Sequence, residues 1–275
     1  MILDIVHATR YLYSEPVFLN PHLFRLMPRP TECQQIDFFE LKIHPKSVKQ
    51  TIVQGIDGSI AQQAFFQKSV TEFSIEAKSR VKTQNRPYFV GSQMPVPIRY
   101  SPAELAMLRP FLEPLTTSLK LKAFAEELVD ASRHQVDVFL PLLTEALFLE
   151  IGKEYRAFGW PYPPEETFAK KMGSCRDTAI LWIALVRYIG IASRFVSGYI
   201  FDAARADDSE LHAWAEVYIP GSGWRGFDPS YGEVVSERHV EICAGSVPEL
   251  CIPVEGTFQG LAASSLYTQV TMARK

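Results

Sequence analysis

The stretch from Ser174 to Gly190 constrains the fold more than any other, because it predicts a helix without a polar face. Ser174 is a typical helix cap, and Asp177 follows it at the spacing of a Ser-x-x-Asp capping box. Gly190 is a typical end of a helix. Residues 178–186 are apolar on every side, as in a helix that runs through the centre of a domain. We therefore expect this helix to be buried.

The first hundred residues carry strand patterns. Apolar and polar residues alternate in Phe38–Ile43 and in Ser69–Val81, which is the period of a strand with one buried face. Gly55, Asp57 and Gly58 provide turn residues between the two runs. Residues 1–100 are therefore predicted to form an antiparallel, β-rich N-terminal domain.

A proline-rich segment, residues 86–114, spans the end of this domain. Six prolines stand at positions 87, 95, 97, 102, 110 and 114. Proline neither donates a hydrogen bond to a sheet nor continues a helix. We interpret residues 101–116 as a Pro-rich linker at a domain boundary.

Helices replace strands beyond the linker. The apolar spacing predicts helices over Leu119–Ala131 and Val138–Glu150, and Asp137 is available to cap the second. We assign residues 117–235 to a core of helices and strands, and we expect the strand-like pieces of residues 236–275 to complete the fold. The sequence thus predicts an α+β protein.

Cys175 would lie in the first turn of the helix that Ser174 caps. Free backbone N–H groups and the positive end of the helix dipole favour a thiolate there, and the thiolate is the nucleophilic form of cysteine. The same N–H groups could stabilise an oxyanion. A cysteine in a helical pattern is more often a packing residue, so its position alone leaves both roles open.

A hairpin pattern downstream brings a histidine and an aspartate together. Leu211–Ile219 alternates, with His212 and Trp214 on its more polar face, and the chain returns through a turn to Trp224–Pro229. If the loop is counted over five residues, 219 to 223, Asp228 pairs with Trp214 on the face of His212. A structural histidine and an aspartate that merely ends the strand are the alternatives. Together, Cys175, His212 and Asp228 match a nucleophile, a base and an orienting carboxylate.

Four linked motifs resemble the transglutaminase-like superfamily of cysteine enzymes. They are Gly173-Ser-Cys-Arg-Asp177, Gly190-Ile-Ala-Ser-Arg194 with Gly198-Tyr199, His212-Ala-Trp214, and Gly223-Trp224 to Asp228-Pro229. The strand-rich front, with Tyr13, Pro16 and Arg25-Leu-Met-Pro28, and the tail around Gly245 resemble the bacterial transglutaminase-like cysteine proteases. The resemblance therefore covers nearly the whole chain.

This resemblance implies a papain-like core in which Cys175 is the nucleophile, His212 its base and Asp228 the orienter of the imidazole. The implied reaction is acyl transfer through a thioester, on a peptide bond, a glutamine side chain or another amide. Hydrolysis is favoured over transfer to an amine. The side chains expected to contact the substrate are Trp160, Tyr162, Ser174 and Trp214.

Composition limits the other classes of function. Lys and Arg number 28 against 31 Asp and Glu, so no net basic field exists to bind nucleic acid or an anionic membrane surface. The four cysteines are too scattered for a disulfide framework, which favours a reducing, cytoplasmic setting. No cofactor motif appears. We expect a protein or peptide substrate as partner, no cofactor, and no nucleic-acid or membrane partner; the oligomeric state is open.

Two readings from other classes compete with this enzyme. In the first, the chain is a non-catalytic module that keeps the fold and uses its N-terminal sheet for protein association. In the second, Cys175, His212 and Asp228 hold a catalytic zinc ion, since three N, S and O ligands with an open position suit one. A capped helix start favours a thiolate without metal, so no metal is expected.

Overall fold

A computed structural model of the 275-residue chain describes residues 1–55, 58–85, 94–116, 118–156, 159–204 and 209–275. Asp57 and Pro87, expected in a turn and in the proline-rich segment, lie outside the described residues. The described chain is a mixture of helices and antiparallel sheets, as the sequence predicts. None of its helices is both long and apolar enough to cross a membrane.

The N-terminal part forms two antiparallel sheets. Alternate residues of Ser69–Thr83 are buried, which is why this run forms a strand with one inner face. The larger N-terminal sheet contains β1 (Ile2–Leu19), β3 (Gln34–His44), β6 (Ser69–Thr83), β15 (Phe258–Gln259) and β16 (Ser264–Arg274). The small N-terminal sheet contains β2 (His22–Phe24), β4 (Lys49–Gln54), β5 (Ile60–Phe65) and β14 (Val254–Glu255). Strands from both sheets share an apolar core around Phe24 and Phe73.

The segment expected to be a Pro-rich linker contains a helix, α1 (Pro102–Leu112). Pro102 stands in the first turn, where a missing N–H costs nothing, and Ser101 with Glu104 forms a capping box ahead of it. The prediction that prolines exclude a helix from residues 101–116 was therefore wrong. A domain boundary here stays a prediction.

Four further helices follow along the described chain: α2 (Leu119–Ala131), α3 (Val136–Glu150), α4 (Pro164–Lys170) and α5 (Cys175–Tyr188). The helix predicted over Leu119–Ala131 has the expected bounds. α3 begins earlier than predicted, so Asp137 lies in its first turn and Gln135 is the N-cap instead. α5 is buried along most of its length, and Gly190 beyond it adopts a φ of +81°, which only glycine adopts readily.

The central sheet packs against α5. It runs in the order β12 (Glu233–Val234), β11 (Gly223–Asp228), β10 (Leu211–Ile219), β9 (Ser193–Ile200) and β13 (His239–Gly245), with neighbours antiparallel. A parallel pair, β7 (Gly152–Lys153) and β8 (Met172–Gly173), lies just before α5. Leu3, Ile5, Val270 and Met272 of the larger N-terminal sheet join the same core as α5 and the central sheet.

The C-terminal residues are divided among the three main sheets. β13 completes the central sheet, β14 joins the small N-terminal sheet, and β15 and β16 pair with β1. The first and last strands thus lie side by side, with Leu3 opposite Arg274 and Tyr13 opposite Ser264.

Candidate active site

Cys175 is the first residue of α5, and a buried carboxylate fixes the backbone around it. Asp177 Oδ2 accepts hydrogen bonds from the Ser174 backbone N–H and hydroxyl, both at 2.7 Å. Its other oxygen accepts from Arg156 Nη2 at 2.6 Å and from the Tyr162 backbone N–H at 2.7 Å. The sequence predicted Asp177 as a cap, but its contacts with residues 156 and 162 carry no local signal. This carboxylate joins the segment before α4 to the start of α5.

His212 and Asp228 come together as the hairpin pattern predicted. Ile219 lies opposite Gly223 and Ala215 opposite Phe227, so one step further the register sets Asp228 opposite Trp214. His212 Nε2 is 2.6 Å from Asp228 Oδ2, and both side chains are buried. The Cys175 side chain also lies close enough to the His212 ring to help raise its pKa. Because Nε2 is taken by Asp228, Nδ1 is the ring nitrogen left for the thiol.

The charges of this pair stabilise each other. Burial acts to lower the pKa of His212, but the Asp228 charge, the Asp228 hydrogen bond and the Cys175 contact outweigh it and raise that pKa to about 10. Burial acts to raise the pKa of Asp228, but His212 and His239 outweigh it and hold that pKa well below its usual range. An imidazolium beside a carboxylate is therefore the favoured state at neutral pH.

His239 is a second histidine on Asp228, and the sequence analysis did not single it out. Its Nε2 lies 3.1 Å from the same Asp228 Oδ2, while its Nδ1 accepts from the Ser236 backbone N–H at 3.2 Å. A backbone N–H can only donate, so Nε2 carries the ring proton and donates to the carboxylate. Asp228 Oδ1 accepts from the Ser230 N–H at 2.9 Å. Asp228 is thus held by three donors.

A cleft of about 860 Å³ opens beside these residues. Cys175 and His212 line it together with Ser174 and Trp160, and the Trp160 side chain is largely exposed. Other walls come from residues of the central sheet and the loops at its edge, and from the segment at 151–156, the loop at 248–254 and the larger N-terminal sheet. The N-terminal part of the chain therefore contributes directly to the cleft.

The other two side chains expected to contact the substrate lie elsewhere. Arg156 Cζ and Lys170 Nζ lie 3.8 and 4.1 Å from the centre of the Tyr162 ring. Tyr162 contributes to the site through its backbone N–H, which donates to Asp177. Trp214 is 1% exposed and packs on Gly198, where an added Cβ would lie 2.5 Å from the indole. A substrate contact for Trp214 is therefore wrong, because the side chain supports the sheet beneath His212.

Three of the described groups could together hold a metal ion, and they differ from the set that the sequence suggested. Ligand atoms of His212, Asp228 and His239 lie within 4.8 Å of one another, and Cys175 is not in the group. Both histidines meet the same Asp228 oxygen at the distances of hydrogen bonds, 2.6 and 3.1 Å.

Family models match two parts of the chain. Residues 125–229 match the transglutaminase-like superfamily, and residues 3–82 match the bacterial transglutaminase-like N-terminal region. The chain thus contains a transglutaminase-like core preceded by a bacterial transglutaminase-like N-terminal region. The core model includes Cys175, His212 and Asp228, whereas His239 lies beyond it.

Curated relatives and one solved structure extend over most of the chain. An uncharacterized protein of Mycobacterium leprae is 22% identical over 98% of both chains. An uncharacterized protein of Mycobacterium tuberculosis is 26% identical over 88% of this chain and 82% of its own length. A crystal structure from Cytophaga hutchinsonii, described as a "putative cysteine protease", covers all of this chain and 91% of its own, with a TM-score of 0.72 at 20% identity. This likeness supports the predicted transglutaminase-like fold.

Proposed function

We propose that this protein is a cysteine-dependent amide hydrolase or acyl transferase that works through a thioester. The observation that carries the proposal is that Cys175, at the start of α5, lines the same cleft as a His212 ring whose Nε2 is hydrogen-bonded to Asp228. In this proposal Cys175 is the nucleophile, His212 the acid and base, and Asp228 the group that orients the imidazole.

The reaction begins with the thiolate of Cys175 beside a protonated His212. The sulfur attacks the amide carbonyl carbon, and the N–H groups at the start of α5 stabilise the oxyanion that forms. His212 then donates its proton to the amide nitrogen as the C–N bond breaks, which leaves a thioester and a free amine. Water or a second amine attacks the thioester, gives a proton to His212 and restores the thiolate.

Thiol labelling tests the nucleophile directly. At about pH 6.5, iodoacetamide is expected to label one thiol rapidly, because only a thiolate is strongly nucleophilic. The rapid phase should disappear in Cys175→Ala and slow in His212→Ala. Cys33, which is also partly exposed, provides the internal comparison in the same tube. Labelling of Cys175 no faster than that of Cys33 would contradict the proposal.

The choice between hydrolysis and transfer depends on which acceptor reaches the thioester. We favour hydrolysis, and the test supplies a glutamine-containing peptide together with a labelled primary amine. Release of ammonia or of a cleaved peptide without label in the product supports hydrolysis. Incorporation of the amine identifies a transglutaminase.

A further inference from the structure

The cleft is lined in different ways by two strands of the larger N-terminal sheet. β1 contributes alternate residues, His7, Thr9 and Tyr11, as expected when one face of a strand is exposed to a cavity. β16 contributes three consecutive residues, Leu266, Tyr267 and Thr268. Consecutive side chains point to opposite faces of a sheet, so a cavity that touches all three runs along the edge of β16.

The hydrogen bonds at the two ends of β16 show which backbone groups face that edge. The Lys275 backbone N–H donates to the Ile2 carbonyl, and the Ala263 carbonyl accepts from the Ser14 N–H. The backbone groups of the odd-numbered residues of β16 therefore point inward to β1. Val270 accepts from the Ser209 N–H at 3.0 Å on the opposite side. In an antiparallel pair the direction alternates with each residue. The N–H and C=O groups of Leu266 and Thr268 therefore point outward.

These outward groups have no partner within the part of the chain that the structure describes. β16 pairs with β1 on its inner side, and among the described residues its outer side makes only the isolated bridge between Ser209 and Val270. That bridge is antiparallel, so the outer edge already pairs with the backbone of one residue in this orientation. Ser209 stands three residues before His212, which brings the bridged end of the edge close to the candidate active site.

We propose that the outer edge of β16 at residues 264–268 binds the substrate as an added strand, and that the substrate is therefore an extended polypeptide. The inference rests on the proposed function, which supplies the cleft with its reaction. An edge strand binds a peptide through main-chain hydrogen bonds that are indifferent to side chains. A free amino-acid amide is too short to pair with both Leu266 and Thr268, because their outward groups lie two residues apart along the strand. The substrate thus spans from β16 to the thiol, with its backbone paired to Leu266 and Thr268.

Proline at position 268 tests the strand addition. Thr268→Pro removes the outward N–H without touching an inward bond, and proline is tolerated on an edge strand when its nitrogen faces away from the ladder. Thr268→Ala is the matched control, since it removes the same side chain and keeps the N–H. Both are made in a Cys175→Ala background, so that binding is measured without turnover. The probe is fluorescein-labelled dimethylcasein, an unfolded polypeptide, and the readout is fluorescence anisotropy.

Loss of one backbone hydrogen bond is expected to raise the Kd of the proline variant about three- to tenfold over the alanine control. Equal Kd values for the two variants, or no binding of dimethylcasein at all, would overturn the proposal. Sedimentation of the same samples tests whether the open edge instead pairs with a second copy of the chain. A dimer that Thr268→Pro dissociates would show that a second copy, not substrate, pairs there, and would also overturn it.

The two proposals fail separately in this design. Binding that depends on the N–H of residue 268, in a protein whose Cys175 labels slowly, would sustain the docking edge and reject the thioester chemistry. Rapid labelling of Cys175 with identical binding by the proline and alanine variants would sustain the thioester chemistry and reject the docking edge. Thermal unfolding of each variant confirms that the sheet has remained intact.

Discussion

Asp228 and Glu241 are both buried carboxylates of the central sheet, yet their surroundings shift their pKa values in opposite directions. Asp228 meets two histidines and a backbone N–H, and its pKa is lowered. Burial raises the pKa of Glu241 to about 7, with the nearby Glu216 adding to the rise. Arg194 and Arg29 act against this rise without cancelling it.

The difference lies in how the positive charge is shared. Arg194 lies 2.6 Å from Glu216 and 3.8 Å from Glu241, so one guanidinium serves two acids. Arg29, from the N-terminal part of the chain, reaches Glu241 at 2.7 Å. Asp228 competes with no neighbouring acid among its described contacts. Burial alone therefore does not decide whether a carboxylate is charged, because the balance of donors and like charges around it does.

The largest expected effect comes from neutralising each carboxylate in turn. Asp228→Asn should lower kcat/KM by on the order of 10³ to 10⁴, since a neutral amide no longer balances the imidazolium charge and can present its NH2 to Nε2, which favours the wrong tautomer. Glu241→Gln should leave kcat/KM close to that of the wild type, because Glu241 does not touch His212 or Cys175. Steady-state kinetics of both variants on one peptide substrate measures the contrast. Equal losses would show that the two acids act as one network.

The second effect concerns stability against pH. A carboxyl group whose pKa is raised on folding stabilises the fold at pH values below its pKa in the unfolded chain. This stabilisation is lost as the pH rises through its pKa in the folded protein. For Glu241 the window runs from 4.5 to about 7. The loss amounts to at most about 3 to 4 kcal/mol, at roughly 1.4 kcal/mol per pKa unit.

Glu241→Gln should therefore remove the fall in the free energy of unfolding between these pH values, as urea titrations at several pH values would measure. His212 supplies an internal control, because its raised pKa gives a separate loss between 6.5 and about 10 that the variant should keep. A wild-type curve that is flat across the lower window would contradict the raised pKa of Glu241.

Local patterns predicted much of the candidate site. The cap at Ser174, the start of α5 at Cys175 and the bounds of β10 follow from spacing within a few residues. The register that brings Asp228 to the face of His212 follows from the length of one loop. Each of these features depends on residues that are neighbours in the sequence, where propensity and periodicity carry the information.

Features that depend on distant parts of the chain were not predicted. His239 reaches Asp228 because β13 joins the far side of β9, and no local signal reports that pairing. β16 enters the cleft because it pairs with β1, although the two strands stand at opposite ends of the sequence. The helix at Pro102–Leu112 was missed for another reason, because proline is accepted in the first turn, where Pro102 stands, and this helix also contains Pro110 near its C-terminal end.

The smallest effect concerns His239, which distinguishes the surroundings of Asp228 from those of Glu241. We expect His239 to act as a positioning residue, because its Nε2–H binds the carboxylate oxygen that also holds His212. His239→Phe keeps a ring of similar size and removes the donor, and roughly a tenfold loss of kcat with little change in KM is expected.

His239→Gln, whose amide can donate to the same oxygen, should restore part of that loss. A purely structural role would instead lower the unfolding temperature of both variants alike and leave their kcat values equal. The recovery of kcat by glutamine therefore decides whether Asp228 needs its second histidine for orientation or only for packing.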